Sequence, residues 1–232
     1  MSNLRFTIYE ILGYLMPGIV GVAAIAVFYW SAFFPNHPIE LANYSLSEEE
    51  IAALILTSYF IGHFIQGLCN YLPKPEALME SDKDSEGLIK NAREGMRGRC
   101  SLDLGKCKLY ELTGAAETVM LQTGKTDTHD VYLYREGFYR GGCASFGLLS
   151  LALLFRATRI GASAAIGGKA TPISSCLLAS TSLLSVLIAI IFYRRYRRFA
   201  EYRIKNLLNF VRLPKSEHGK IEDTSKPEGN GE

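Results

Sequence analysis

The feature that most constrains this chain is the segregation of its charged residues. Asp, Glu, Lys and Arg are absent from residues 11–39, 51–73, 141–155 and 170–193, and crowd into residues 74–140 and 194–232. A charge at the centre of a bilayer costs about 2.5–3.5 kcal/mol on insertion scales, so a spanning segment has to exclude it. The average composition, 48% hydrophobic and 21% charged, does not show this pattern. The distribution of the charged residues along the chain predicts an integral membrane protein.

Four spanning helices are predicted from these stretches, because crossing the hydrocarbon core takes about 20 helical residues. They are expected at about 8–34, 51–72, 141–157 and 170–193. The third stretch is the shortest, so Arg140 and Arg156 at its ends have to extend to the interface. A re-entrant third segment, leaving three true spans, is the alternative. The predicted fold is all-α, with four transmembrane helices as two hairpins.

The sequence divides into five parts by composition. A first hairpin is expected over 1–73, a small cytoplasmic helical insert over 74–140 and a second hairpin over 141–193. A basic juxtamembrane helix over 194–213 and a disordered polar tail over 214–232 follow. Five cysteines without regular spacing do not form a disulfide framework. An insert of this size is marginal alone, so it is expected to need the membrane helices or another subunit.

A cluster of arginines directly after the last span predicts the orientation. Basic residues next to span ends stay in the cytoplasm, so both termini and the insert are expected there, at the inner membrane. The same residues suit the anionic headgroups of the inner leaflet. Apolar side chains of the following helix, among them Leu207 and Phe210, are expected to enter the lipid interface. The cluster consists of Arg194, Arg195, Arg197 and Arg198.

The second span carries a polar face, since four polar side chains recur there at helical spacing. They are Tyr59, His63, Gln66 and Asn70. Polar groups at membrane depth need partners inside the bundle or a water-filled cavity. Interhelical hydrogen bonding is one interpretation of this face, and an ion or proton path with His63 as the titrating group is the other.

Small residues on the other spans predict where helices pack. Gly13, Pro17 and Gly21 share one face of the first span, and Ser182 and Ser185 lie in the fourth. Small side chains let helix backbones approach closely in a bilayer. Neighbouring helices have to satisfy the carbonyl that a proline such as Pro17 leaves without its helical partner.

No motif for catalysis or for a cofactor is visible. The phosphate-binding patterns G-x-x-x-x-G-K-[S/T] and G-x-G-x-x-G are absent. The spacing of Cys100, Cys107 and His129 matches no common zinc site. A serine nucleophile needs a base within reach, and nothing places His63 beside a given serine. We therefore expect no catalytic residue, metal, cofactor or nucleic-acid partner.

Four short segments carry a resemblance to a known group of proteins. They are Gly13-Tyr14-Leu15-Met16-Pro17-Gly18, Ser58-Tyr59-Phe60-Ile61-Gly62-His63, Leu133-Tyr134-Arg135 and Arg198-Phe199-Ala200-Glu201-Tyr202. Together the segments resemble small multi-pass bacterial inner-membrane proteins, mostly uncharacterised. The chain is also similar to four-span effectors of anti-phage systems, which damage the membrane when a cytoplasmic sensor is triggered. The resemblance implies a cytoplasmic insertion between spans two and three, and no catalytic residues.

These observations favour a non-enzymatic membrane module. We expect it to form homo-oligomers and to couple a cytoplasmic protein or nucleotide signal to the membrane, with a membrane-perturbing defence effector as the concrete form. The alternative is a small transporter or channel that uses the polar face of the second span. An intramembrane enzyme is a third class.

The orientation can be tested with reporter fusions. A fusion after Glu48 should report the outside, because the loop 35–50 contains no Lys or Arg. Fusions after Lys106 and Lys215 should report the cytoplasm. A cytoplasmic signal at Glu48 would overturn the arrangement of four spans.

Overall fold

The computed structural model describes residues 2–34, 45–71, 76, 79, 83–97, 107–124, 127–165 and 172–212. The expected tail over 214–232, most of the loop over 35–50 and Cys100 therefore lie outside the described residues. The described part contains six helices and no strand. The helices are α1 (Ser2–Phe33), α2 (Glu48–Cys69), α3 (Lys83–Met96), α4 (Leu109–Thr123), α5 (Asp127–Ala165) and α6 (Pro172–Val211).

Four of these helices are long and apolar enough to cross a membrane. The candidate spans are Ile11–Phe33, Glu48–Cys69, Thr128–Ser163 and Ser174–Val211. The prediction of an all-α protein with four membrane helices is thus confirmed. The third stretch, expected over about 141–157, belongs to a helix of 39 residues. This helix is much longer than the roughly 20 residues that a crossing needs.

The second span begins at a capping box. The Ser47 amide donates to Glu50 Oε2 at 2.9 Å, and the Glu50 amide donates to Ser47 Oγ at 3.3 Å. Two amides that the first helical turn leaves without partners are satisfied in this way. The span therefore starts at a defined residue.

The chain folds into two compact units. The membrane unit comprises Met1–Pro73 and Val131–Ala200, and the second unit comprises Lys74–Asp130 and Glu201–Glu232. Helices α5 and α6 each supply residues to both units. The last eleven residues of α6 belong to the second unit.

Inside the membrane unit, α1 and α2 pack backbone against backbone. A Cβ atom on Gly18 would lie 1.7 Å from the Ser58 carbonyl oxygen, and one on Gly62 would lie 1.9 Å from the Tyr14 carbonyl oxygen. Neither position can hold a larger residue without moving a helix. Two glycines on opposite helices therefore set the distance between these two spans.

Helices α5 and α6 pack through serines and a glycine. Ser182 Oγ donates to the Ser150 carbonyl oxygen at 2.9 Å and lies 3.0 Å from Ser150 Oγ. Ser175 Oγ donates to the Ala157 carbonyl oxygen at 3.0 Å. A Cβ atom on Gly142 would lie 2.2 Å from the Phe192 ring. The hydroxyls that line this contact thus bond to the protein and not to lipid.

The second unit has its own hydrophobic core, to which α3, α4 and the end of α6 contribute. Arg203 and Glu76, both largely buried, form an ion pair at 3.3 Å. His129 Nε2 lies 3.0 Å from Glu117 Oε1. The core consists of Met79, Ile89, Ala92, Met96, Cys107, Leu109, Leu112, Ala116, Met120, Ile204, Leu207, Leu208 and Val211.

The burial of the α6 end corrects one expectation from the sequence. Leu207 was expected to enter the lipid interface, but it is fully buried in this core together with Ile204, Leu208 and Val211. Phe210 is partly buried against the same core. The apolar stripe of an amphipathic helix fits a protein core as well as a lipid surface, and here the stripe has a protein partner.

Replacing Leu207 with Ala should destabilise the second unit by about 2–5 kcal/mol, because the change opens a cavity in a packed core. Hydrogen exchange at the α4 amides of the full-length protein measures this loss. The matched control is Leu121→Ala on α4, where the side chain is 59% exposed. The control should change stability by less than about 0.5 kcal/mol. Equal effects of the two variants would mean that Leu207 is not a core residue.

Candidate functional site

The four polar residues of α2 differ in their exposure. Gln66 and Tyr59 are half-buried, whereas His63 and Asn70 are exposed. Asn70 caps the C-terminal end of α2, where its backbone N–H donates to the Gly67 and Leu68 carbonyl oxygens. The four side chains lie on one helix but have different surroundings.

Gln66 holds three helices of the membrane unit together. Its Nε2 atom donates to the Gly13 carbonyl oxygen of α1 and to the Gly137 carbonyl oxygen of α5, both at 3.0 Å. Gly13 lies four residues before Pro17, which has no N–H to give to that carbonyl. Gln66 thus satisfies the carbonyl that the proline leaves without its helical partner, as bilayer helices require.

His63 is held by aromatic rings. The Tyr14 ring stacks on the imidazole with a centroid distance of 3.6 Å and an interplanar angle of 16°. The Tyr59 ring lies edge-on with a centroid distance of 4.6 Å. In the part of the chain that the structure describes, no group forms a hydrogen bond with the imidazole nitrogens. His63 thus keeps a fixed ring position and an exposed polar edge.

The small residues named from the sequence all lie in buried positions. Pro17 approaches α5, since a Cβ atom on Gly141 would lie 3.1 Å from Pro17 Cγ. A Cβ atom on Gly21 would lie 2.6 Å from Ile65 Cδ1 of α2. Ser182 bonds to Ser150 of α5, and Ser185 Oγ donates to the Thr181 carbonyl oxygen of its own helix. Gly13, Pro17, Gly21, Ser182 and Ser185 are all buried.

Two packing residues were missed by the sequence analysis. Gly18 and Gly62 make the closest approach between α1 and α2, yet neither was included among the packing residues. The spacing Ser58-x-x-x-Gly62 was the available signal, because two small residues four apart form a flat helix surface. Gly18 lies directly after Pro17, just outside the face that contains Gly13 and Gly21.

Arginines and aromatic rings occupy one end of α5 and α6. The Tyr139 and Phe199 rings stack with a centroid distance of 5.3 Å and an interplanar angle of 2°, and the Arg135 guanidinium carbon lies 5.4 Å from the Phe199 centroid. The four arginines that follow the fourth apolar stretch, Arg194, Arg195, Arg197 and Arg198, are exposed. Exposed guanidinium groups beside an aromatic cluster suit a membrane interface.

Arg156 has different surroundings from those expected. The short third stretch required it to extend to the interface, but the residue is only 4% exposed. Arg140, expected to extend in the same way at the other end, is half-buried. Helix α5 is long enough to cross without placing Arg156 at its end.

Several described hydroxyls of the membrane unit bond to the protein backbone. The Ser145, Ser175, Ser182 and Ser185 hydroxyls each donate to a backbone carbonyl. Cys69 Sγ lies 3.8 Å from the Arg140 carbonyl oxygen. Among the described residues, no three His, Cys, Asp or Glu side chains are grouped so that they could hold a metal ion.

The Gln66 bridge can be tested with a double-mutant cycle. Gln66→Leu should destabilise the membrane unit by about 1 kcal/mol, since a membrane hydrogen bond averages about 0.6 kcal/mol and two are lost. In a Pro17→Ala background the new N–H of residue 17 can bond to the Gly13 carbonyl. The cost of Gln66→Leu should then fall by about half.

Unfolding of the protein in mixed micelles measures both costs. The control is Leu68→Ala on the same helix, where the side chain is 50% exposed. An equal cost of Gln66→Leu in both backgrounds would show that Gln66 does not compensate for Pro17.

Comparison with known proteins finds no matching family model, no matching curated protein and no matching solved structure. The resemblance noted from the sequence therefore extends to architecture alone. Four candidate spans in an all-α fold identify the chain as a multi-pass helical membrane protein.

Proposed function

We propose that this protein is a non-enzymatic module of the bacterial inner membrane that forms oligomers and couples a cytoplasmic signal to its membrane helices. The observation that carries the proposal is the dual use of α6. This helix contains the fourth candidate span and also supplies Ile204, Leu207, Leu208 and Val211 to the core of the second unit. A change in that core acts on the same helix that crosses the membrane.

The second unit is the proposed receiving part. Its core includes residues from α3 and α4 as well as from α6, so a partner that binds α3 or α4 alters the packing around α6. The partner is a cytoplasmic protein or a nucleotide signal, and no nucleic acid is involved. A ligand shifts a conformational equilibrium only by its differential affinity for the two states, so it has to bind one packing better than the other.

Exposed arginines support the proposed orientation. Arg194, Arg195, Arg197 and Arg198 follow the fourth apolar stretch, and basic residues at span ends stay in the cytoplasm. Four crossings place both termini and the connection between α2 and α5 on that same side. Each arginine adds about 1 kcal/mol of attraction to an anionic inner leaflet.

The concrete form of the proposal is a membrane-perturbing effector that the second unit restrains. Packing of the membrane unit supports this form over the alternative, a transporter that uses the polar face of α2. Gln66 commits both amide hydrogens to backbone carbonyls, so it has no side-chain N–H left to donate to a passing solute.

Dye-loaded liposomes containing the full-length protein provide the test. Leu207→Ala loosens the second unit and should raise dye efflux by about fivefold or more, which corresponds to the low end of typical coupling between sites. Leu121→Ala, at a 59% exposed position of α4, should leave efflux unchanged. Equal efflux from wild-type and Leu207→Ala liposomes would contradict the coupling.

The same liposomes distinguish the proposed function from the alternative of a transporter. His63→Asn should leave any proton flux with its pH dependence intact, because the proposal gives His63 no role in conduction. A pH-dependent flux in the wild-type protein that disappears in His63→Asn would instead favour the transporter.

A further inference from the structure

One face of α2 combines exposed apolar side chains with an exposed imidazole. Five residues recur at helical spacing on this face, and we call the set the His63 face. They are Leu56, Phe60, His63, Phe64 and Gly67. Phe60 and Phe64 are 64% and 65% exposed. Gly67 has open space around it, with no atom within 4 Å of where a Cβ would stand.

His63 lies inside the second candidate span, Glu48–Cys69, and not at either end of it. Asn70 at the end of α2 is seven positions further on, which is about 10 Å along the helix axis. The Tyr14 ring at 3.6 Å and the Tyr59 ring at 4.6 Å fix the imidazole, so it cannot turn towards the interface without losing both contacts. Acyl chains offer neither a donor nor an acceptor to its exposed edge.

We infer that the His63 face is the interface through which two copies of this chain associate in the membrane. The chemistry of the imidazole points to a second copy. In its neutral form the ring has one donor and one acceptor nitrogen, so it can form an N–H···N bond with the same residue of a partner.

Symmetry places the two rings at the same depth. Copies inserted with the same orientation are related by a two-fold axis along the bilayer normal. A residue near that axis meets its own counterpart in the partner. His63 therefore meets the partner's His63, while Gly67 leaves room for the two α2 backbones to approach and Phe60 and Phe64 pack at the sides.

This inference rests on the proposed function only for the statement that the protein oligomerises. It adds which surface is used and which residue sets the register. It also gives His63 a role that requires no ion path through the protein.

Sedimentation equilibrium of the full-length protein in density-matched detergent micelles tests the interface. The wild-type protein should be a dimer. His63→Leu should weaken it by about three- to twentyfold, since a membrane hydrogen bond contributes about 0.6 kcal/mol on average and 1.7 kcal/mol at most. His63→Gln, which keeps a donor and an acceptor, should retain most of the affinity.

Two further variants complete the design. Gly67→Leu should weaken the dimer beyond His63→Leu, because its side chain fills the space through which the helices approach. Leu183→Ala, at a 62% exposed position of α6, is the matched control and should leave the dimer unchanged. Circular dichroism confirms that each variant keeps its helices.

The outcomes separate the inference from the proposed function. An oligomer that His63→Leu and Gly67→Leu do not weaken overturns the His63 face and leaves the proposed oligomeric module standing. A wild-type protein that stays monomeric at all concentrations overturns both. A dimer weakened equally by His63→Leu and Leu183→Ala overturns the interface as well.

Discussion

The rest of the membrane unit depends on one constraint, the need to satisfy every backbone carbonyl where no water is present. Pro17 leaves out one backbone hydrogen bond of the first span, because it has no N–H to donate to the Gly13 carbonyl oxygen. Gln66 supplies the missing donor from the neighbouring helix at 3.0 Å and reaches a third helix at Gly137. A missing hydrogen bond in one helix is thus replaced by a specific contact among three helices, and the amide nitrogen that makes the contact bonds to protein.

The same constraint explains why glycines and serines lie at the closest helix contacts. Apolar side chains gain little by leaving lipid for another helix, so close packing and hydrogen bonds drive association. Gly18 and Gly62 let the α1 backbone come close enough to α2 for Gln66 to reach it. A Cβ atom at either position would collide with a carbonyl oxygen of the other helix. Ser150 and Ser182 form the equivalent contact between α5 and α6 by direct hydrogen bonding.

Much of the architecture could be predicted from the sequence, because exclusion of charge from a bilayer is a strong and local signal. The four spans, the capping box at Ser47 and the polar spacing of α2 are all visible in the residues themselves. The hydrogen-bond partners of Gln66 could not be predicted from the sequence. Periodicity shows which residues share a helix face, but it does not show which helix that face contacts. The end of α6 was misplaced for the same reason, since the stripe containing Leu207 shows an apolar face without showing whether lipid or protein covers it.

Sharing α6 between the two units also links the order of folding to the order of synthesis. The segment Lys74–Asp130 is too short for a large core of its own, and domains of this size are marginal without additional support. The missing apolar surface comes from the end of α6, which is made after the rest of both compact cores. The residues that supply it are Ile204, Leu207, Leu208 and Val211. The core of the second unit is therefore complete only once the whole membrane unit has been made.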